Sequence, residues 1–236
     1  EAVYETLHRE NQVLVCAQSN TAVDWIAEKL VDRGVPVLRI GNPSRVNDKM
    51  LSFTYERRFE SHPAYTELWG IRKSIRDMGN HLRKGGYSER ESTRNRILRL
   101  KERATELEIL INEDLFSSAR VIASTLVSSN HRILTGRHFS TLFIDEAAQA
   151  LEAACWIAIR KADRVILAGD HCQLPPTIKC MEAARSGLDR TLMEKVVMNK
   201  QEAVSLLKIQ YRMHRSIMQF PSAWFYQGEL EAAPEI

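Results

Sequence analysis

The feature that most constrains this chain is an apolar run that ends in two acids: Leu142, Phe143 and Ile144, then Asp145 and Glu146. An apolar run without polar alternation suits a strand covered on both faces, as in a parallel sheet flanked by helices. Such sheets bind ligands at the carboxyl ends of their strands. Adjacent acids there can divide two tasks, one holding a hydrated Mg²⁺ and the other activating a water. Capping of the next helix is the simpler role for the same pair. A second apolar run, residues 165–168, ends in Gly169, Asp170, His171, Cys172 and Gln173. Two buried strands that each release polar groups at their exit describe a nucleotide-hydrolysing site better than a structural core.

The rest of the chain supplies the sheet these strands need. Residues 12–17 read as a buried strand, 22–33 as a helix with Val23, Ile26, Ala27 and Leu30 on its apolar face, and 35–40 as a further strand. Gly34 is a candidate C′ residue for that helix. Strand, helix and strand make a βαβ unit, which implies a parallel sheet with a right-handed crossover. The composition changes between residues 45 and 108, where about 15 Lys and Arg stand against about 10 Asp and Glu and no strand is evident. Ile97, Leu100, Ala104, Leu107 and Ile111 follow alternating spacings of three and four, a coiled-coil-like seam on a long helix. Gly85 and Gly86 separate it from an earlier helix over 65–82. The expected organisation is an α/β domain over 1–44 and 112–236 with a helical hairpin inserted over 45–111. The α/β pattern resumes with strands at 119–125 and 141–144, a helix at 147–159 and helical residues at 180–198 broken near Gly187. A last strand at 205–209 and a short helix at 215–220 close the chain.

The formal net charge of +3 is too small to argue for nucleic acid by itself. The four cysteines, Cys16, Cys155, Cys172 and Cys180, form no C-x-x-C pair and show no metal-ligand spacing. They fit the reduced thiols of an intracellular protein, cytoplasmic or nuclear. No apolar run reaches the roughly 18 residues of a membrane span, and no basic leader with an apolar core begins the chain. The chain opens on Glu1 inside a helical pattern, so it reads as a piece of a longer protein.

Each candidate residue has a chemical reason. Asp145 is the candidate to hold Mg²⁺ through its waters and Glu146 the candidate general base. Gln149, one helical turn after Asp145, and Gln173, at the next strand exit, can each donate to a phosphate and accept from a water. Asp170 and His171 could brace that loop or act in it. Arg212 offers a rigid fork for phosphate oxygens, and Tyr211 beside it could stack on a base. Ser19, Asn20 and Thr21 lie where a strand meets a helix N-terminus, a place that suits a phosphate. Asn20 or Thr21 could equally cap that helix. Ser124 and Thr125 form a matching hydroxyl pair at another strand exit.

Residues 19–24 (Ser-Asn-Thr-Ala-Val-Asp), 144–149 (Ile-Asp-Glu-Ala-Ala-Gln), 169–176 (Gly-Asp-His-Cys-Gln-Leu-Pro-Pro) and 210–214 (Gln-Tyr-Arg-Met-His) occur in this order, and 220–228 follow. Together they resemble the first RecA-like motor domain of a superfamily 1 helicase in the up-frameshift-like branch. The resemblance covers nearly the whole chain and is weakest over the helical insertion. It implies an α/β RecA-like parallel sheet and ATP-dependent movement on single-stranded DNA or RNA. It implies ATP and Mg²⁺ as cofactors, with Asp145 and Glu146 as the Mg²⁺ and hydrolysis pair. Gln149 and Gln173 would face the γ-phosphate or its water, Tyr211 the adenine and Arg212 the phosphates. Gly169 and Asp170 join the nucleotide-binding positions, and Ser19, Asn20, Thr21 and Thr125 would grip a single strand. In that branch a Gly-rich phosphate loop precedes the first of these segments and a second RecA-like domain follows the last. Neither is found between Glu1 and Ile236, so these residues alone are expected to hydrolyse ATP poorly. Two alternatives stay open: a nucleic-acid-stimulated ATPase that separates no duplex, and a degenerate motor acting as a binding scaffold.

Overall fold

The computed structural model describes residues 1–82 and 87–236, with side chains described outside 81–90. Gly85 and Gly86, the expected break between two helices, lie outside the described residues. Two compact units are present, Glu1–Asp145 with Ala153–Leu167, and Glu146–Glu152 with Ala168–Ile236.

The first unit is built on a sheet of five strands: β1 (Val13–Ala17), β2 (Val37–Ile40), β3 (Val121–Thr125), β4 (Phe139–Asp145) and β5 (Ala162–Leu167). Their order is β2-β3-β1-β4-β5, and every pairing is parallel. The parallel α/β sheet expected from the apolar runs is observed, and it is consistent with the RecA-like class that the resemblance implies. All of β1 is buried, so both faces of the central strand are covered. Val13, Val15, Ala17, Val121 and Ala123 enter one core with Val23, Ala27 and Leu30. These last three come from α2 (Asn20–Val31), a helix that follows α1 (Ala2–Leu7) in the chain. Leu14, Cys16, Ile122, Leu142 and Ile144 point to the other face and are also buried. After α2, Gly34 takes a left-handed φ of +76° and donates its N–H to the Val31 carbonyl, turning the chain into β2.

Strand β5 departs from expectation. It sits at the sheet edge and is only partly covered, with Asp163 and Arg164 exposed. An apolar run tells burial from period alone, and an edge strand with one neighbour reads the same as a central one. At the opposite end of these strands, Glu10 accepts from the hydroxyls of Ser140 (2.6 Å) and Thr141 (2.8 Å) and pairs with Arg164. Partial desolvation raises the Glu10 carboxyl, but these partners outweigh it and its pKa is lowered.

Between β2 and β3 the chain is helical: α3 (Tyr55–Ser61), α4 (Tyr65–Leu82) and α5 (Tyr87–Ser118). The seam expected on α5 is present, with Ala104, Leu107 and Ile111 buried and Leu115 continuing it. Helices α4 and α5 pack together, and Arg72–Glu108 (2.7 Å) and Arg103–Glu67 (2.9 Å) link them. Part of the basic excess of this arm is therefore matched by acids within it.

The second unit holds α7 (Met181–Ala183), α8 (Leu192–Asn199), α9 (Arg215–Phe225) and a two-stranded parallel ladder of β6 (Ile209–Gln210) with β7 (Glu231–Ala232). Helix α6 (Glu152–Ile159) joins the units in the chain. The break near Gly187 is real, with φ +92° inside a π turn. The expected strand over 205–209 is reduced to β6, and Leu206 and Leu207 are exposed. It belongs to the small ladder and not to the main sheet, so its apolar residues gain no cover from strand neighbours. No helix among the described residues is long and apolar enough to cross a membrane.

Candidate functional site

In the first unit, the carboxyl ends of the central strands carry Asp145, Thr125 and the segment that begins at Ser19. Ala17 is in register with Thr125 on one side and Asp145 on the other, so these residues form one row at the sheet's rim. Asp145 is half-buried there, a hard oxygen donor that water can reach. One step inward, Cys16 lies beside Ser124 at 3.5 Å, and burial pushes its thiol up to about 12. Such a thiol stays protonated and belongs to the core. The Thr125 hydroxyl donates to Ser128 Oγ (2.8 Å) and accepts from the Ser128 N–H (3.2 Å), so it shapes the turn leaving β3.

The β1–α2 junction differs from expectation in its cap. Ser19, with extended backbone, accepts from the Ala22 N–H at 3.1 Å and is the N-cap in place of Asn20 or Thr21. Thr21 is exposed, and Asn20 is tied to a residue that no motif flagged. Arg39 on β2 is fully buried. Its guanidinium donates to Asp24 Oδ1 (2.7 Å), the Ile40 carbonyl (2.6 Å) and Asn20 Oδ1 (2.9 Å). The other Asp24 oxygen accepts from the Asn47 N–H at 2.9 Å. A signal existed: Arg39 interrupts an apolar strand, and Asp24 stands beside Val23 on the apolar face of a helix. A buried charge on each of two adjacent elements calls for pairing.

In the second unit the chain turns sharply at Glu146, whose φ of +53° and ψ of +35° are left-handed. Residues 147–149 form one 3₁₀ turn instead of the first turn of a long helix. Gln149 is exposed, and the α-helical spacing that would place it over Asp145 does not exist. Its expected role loses that geometric support. The left-handed residue instead brings the following backbone against the β5 exit, where the Ala147 N–H donates to the Ala168 carbonyl at 2.9 Å. Gly169 permits this close approach. A Cβ there would lie 3.0 Å from Ala148 N and 3.1 Å from both Ala147 N and Met193 Sδ.

Asp170 organises the loop that follows. It accepts from the Cys172 N–H (3.1 Å), from Gln173 Nε2 (2.8 Å) and from the Tyr226 hydroxyl. Desolvation raises its carboxyl, but the Tyr226, Gln173 and Cys172 hydrogen bonds outweigh it and the pKa is lowered. Burial and the same contact push the Tyr226 hydroxyl well up, so it stays a donor. Ligand atoms of Asp170, His171 and Cys172 lie within 4.8 Å of one another, but hydrogen bonds already occupy both Asp170 oxygens. Gln173 is thereby held at its amide nitrogen while remaining exposed. Tyr226 was not foreseen as part of this loop, because nothing local to it indicates a partner 56 residues earlier.

Arg212 and Tyr211 are exposed. Gln210 sets the backbone around them, accepting from the N–H groups of Arg212 (2.9 Å) and Met213 (2.7 Å) and donating to the Met213 carbonyl (2.6 Å). Clefts of about 460 and 390 Å³ lie along the helical arm, beside Tyr55 and Asn112 and beside Ile97 and Lys101.

Comparison with known proteins bears on the family. An AAA domain model matches residues 2–181, and a second AAA domain model matches residues 188–236. DNA-binding protein SMUBP-2 of Mesocricetus auratus is 34% identical over 242 residues, covering 100% of this chain and 24% of that protein. DNA polymerase alpha-associated DNA helicase A of Schizosaccharomyces pombe is 34% identical over 240 residues, covering 100% of this chain and 35% of that protein. The Regulator of nonsense transcripts 1 homolog of Arabidopsis thaliana is 36% identical over 227 residues, covering 94% of this chain and 17% of that protein. The chain thus spans well under half the length of these relatives. With both models matched in order and these relatives aligned over 94% to 100% of the chain, the chain belongs to the AAA-domain family, within the up-frameshift-like branch of superfamily 1 helicases.

Proposed function

We propose that this chain is part of an ATP-dependent helicase or translocase that couples ATP hydrolysis to movement on single-stranded DNA or RNA. The observation that carries the reading is the approach of the Gly169 loop to the backbone after Glu146. Within the second unit, it holds the turn that carries Glu146 against the loop that presents Asp170 and Gln173. A motor needs such rigidity, because a phosphate sensor must move with the group that activates water.

In this reading Asp145 holds Mg²⁺ through its waters, and its accessible carboxylate at a strand tip suits a hard cation that keeps part of its hydration shell. The metal, when bound, neutralises charge on the β- and γ-phosphates. Glu146 takes the proton of the attacking water. Gln173, steadied by Asp170, orients that water or the γ-phosphate, and Gln149 is a weaker candidate for the same task. Arg212 meets phosphate oxygens, Tyr211 stacks on the adenine, and Gly169 and Asp170 shape the nucleotide loop. Ser19, Asn20, Thr21 and Thr125 contact the single strand; Ser19 and Thr125 do so with their capping and turn bonds in place. Residues 1–44 and 112–236 form the motor, residues 45–111 form a helical insertion, and a second RecA-like domain completes the nucleotide site.

The test is strand displacement by the full-length protein. With a single-stranded tail on the duplex, ATP and Mg²⁺ together should drive release of the shorter strand, and omission of either should stop it. ATP turnover stimulated by single strands without displacement would reduce the protein to a translocating ATPase. Absence of turnover would refute the motor reading.

A further inference from the structure

We infer that Arg39 is a positioning residue for single-strand binding: it fixes the Asn20 amide so that its NH₂ group is what a nucleic acid meets. The inference rests on the reading of Asn20 as a strand contact. Arg39 carries donors and no acceptor. Because its Nη2 lies 2.9 Å from the Asn20 side chain, the oxygen of that amide must face the guanidinium. The amide is planar, so its nitrogen end is turned away from the buried cation. An outward NH₂ group donates, which matches phosphate oxygens and the acceptors on base edges. An Asn20 free to flip would present either end and would lose rotational freedom on binding.

The surroundings keep Arg39 in place. Its side chain leaves β2 on the same face as Val37, toward α2, where Asp24 receives it. Asp24 in turn holds the Asn47 N–H, so one cation joins the β2 end, the start of α2 and the segment after β2. Gly41 leaves room for the guanidinium, since a Cβ there would lie 2.9 Å from Arg39 Nη1. Burying this pair does not by itself favour stability, because a well-packed apolar pair is often as good or better. Orientation of Asn20 gives the buried charges a purpose that packing does not.

The test measures binding of a fluorescent single-stranded oligonucleotide to the full-length protein over a salt series, beside thermal unfolding. Three variants are compared: Asn20→Leu, Arg39→Met with Asp24→Leu, and all three changes together. The paired change replaces both charges by apolar groups, so it should unfold within a few degrees of the parent. It should nonetheless bind about five- to tenfold more weakly, the loss expected of one hydrogen bond. Asn20→Leu should lose as much, and the triple change no more than about twofold beyond either. The salt slope should stay that of the parent, because a neutral amide releases no counterion. Arg39→Gln with Asp24→Asn, a neutral pair whose amides can donate or accept and so no longer fix Asn20, should show the same loss if the apolar pair does not fold. Either paired variant, folded and with parental affinity, overturns the proposal. So do additive losses, or a slope lowered by about one, which would make Arg39 itself a phosphate ligand. Parental affinity of Asn20→Leu would remove the strand-contact reading of Asn20, and the proposal with it. Loss of all single-strand binding by the unaltered protein would be a failure of the motor reading instead.

Discussion

The Ala147 N–H donates to the Ala168 carbonyl across 2.9 Å, and this bond joins the turn after Glu146 to the exit of the neighbouring strand. It forms because Glu146 takes a left-handed backbone conformation and because Gly169 has no side chain to hold the two segments apart. A single methyl group tests it. Gly169→Ala places a carbon 3.0 Å from Ala148 N, with backbone on one side and Met193 on the other. The expected cost is about 1–3 kcal/mol, as for other overpacked sites. Chemical denaturation would read that loss, and ATP turnover by the full-length protein should fall as the loop is displaced.

The Asp170 carboxylate links acid stability to the loop. Its folded pKa is lowered, so its contribution is fully present above the ordinary carboxylate range near 4 and is lost as pH falls through the folded value. Tyr226→Phe removes the hydroxyl donor and moves the folded pKa back toward the ordinary range. With Asp170 partly exposed, the expected loss at neutral pH is about 1 kcal/mol. The difference between parent and variant should shrink as pH falls below about 4. Equal stabilities at neutral pH would show that Tyr226 does not hold Asp170.

Arg39 and Asp24 give opposite results singly and together. Arg39→Met alone leaves Asp24 buried without its cation, a change that costs about 3–5 kcal/mol. Adding Asp24→Leu should recover most of that loss. Thermal unfolding of the two variants compares them directly, and equal melting points would contradict the buried pairing.

The helical arm depends on its seam more than on its charges. Ile111→Ala removes a fully buried side chain and should cost about 2–5 kcal/mol. Arg72→Ala breaks a half-exposed pair with Glu108 and should cost less than about 1 kcal/mol. Similar losses from both would show that the ion pairs carry the packing of α4 on α5.

Most of the sheet can be read from the sequence, because uninterrupted apolar runs such as 142–144 have few alternatives to a buried parallel strand. The seam from Ile97 to Ile111 is legible for a similar reason: its spacing admits one continuous helix. What cannot be read depends on partners distant in sequence. The edge position of β5 is decided by which strand pairs with it. The left-handed turn at Glu146 carries no glycine to announce it and replaces the helix that the residues after it would otherwise begin. Tyr226 meets Asp170 across 56 residues, and Arg39 meets Asn20 and Asp24 only once β2 lies beside α2. The candidate chemical groups could be named from their motifs, whereas the residues that hold them in place could not.

The role of Glu146 is the claim on which the account turns. Glu146→Gln keeps the shape of the side chain and removes the base. In the full-length protein it should lower ATP turnover about 10²- to 10⁴-fold, while affinity for a non-hydrolysable ATP analogue stays within about threefold of the parent. Turnover within about twofold of the parent, with nucleotide binding intact, would contradict the account.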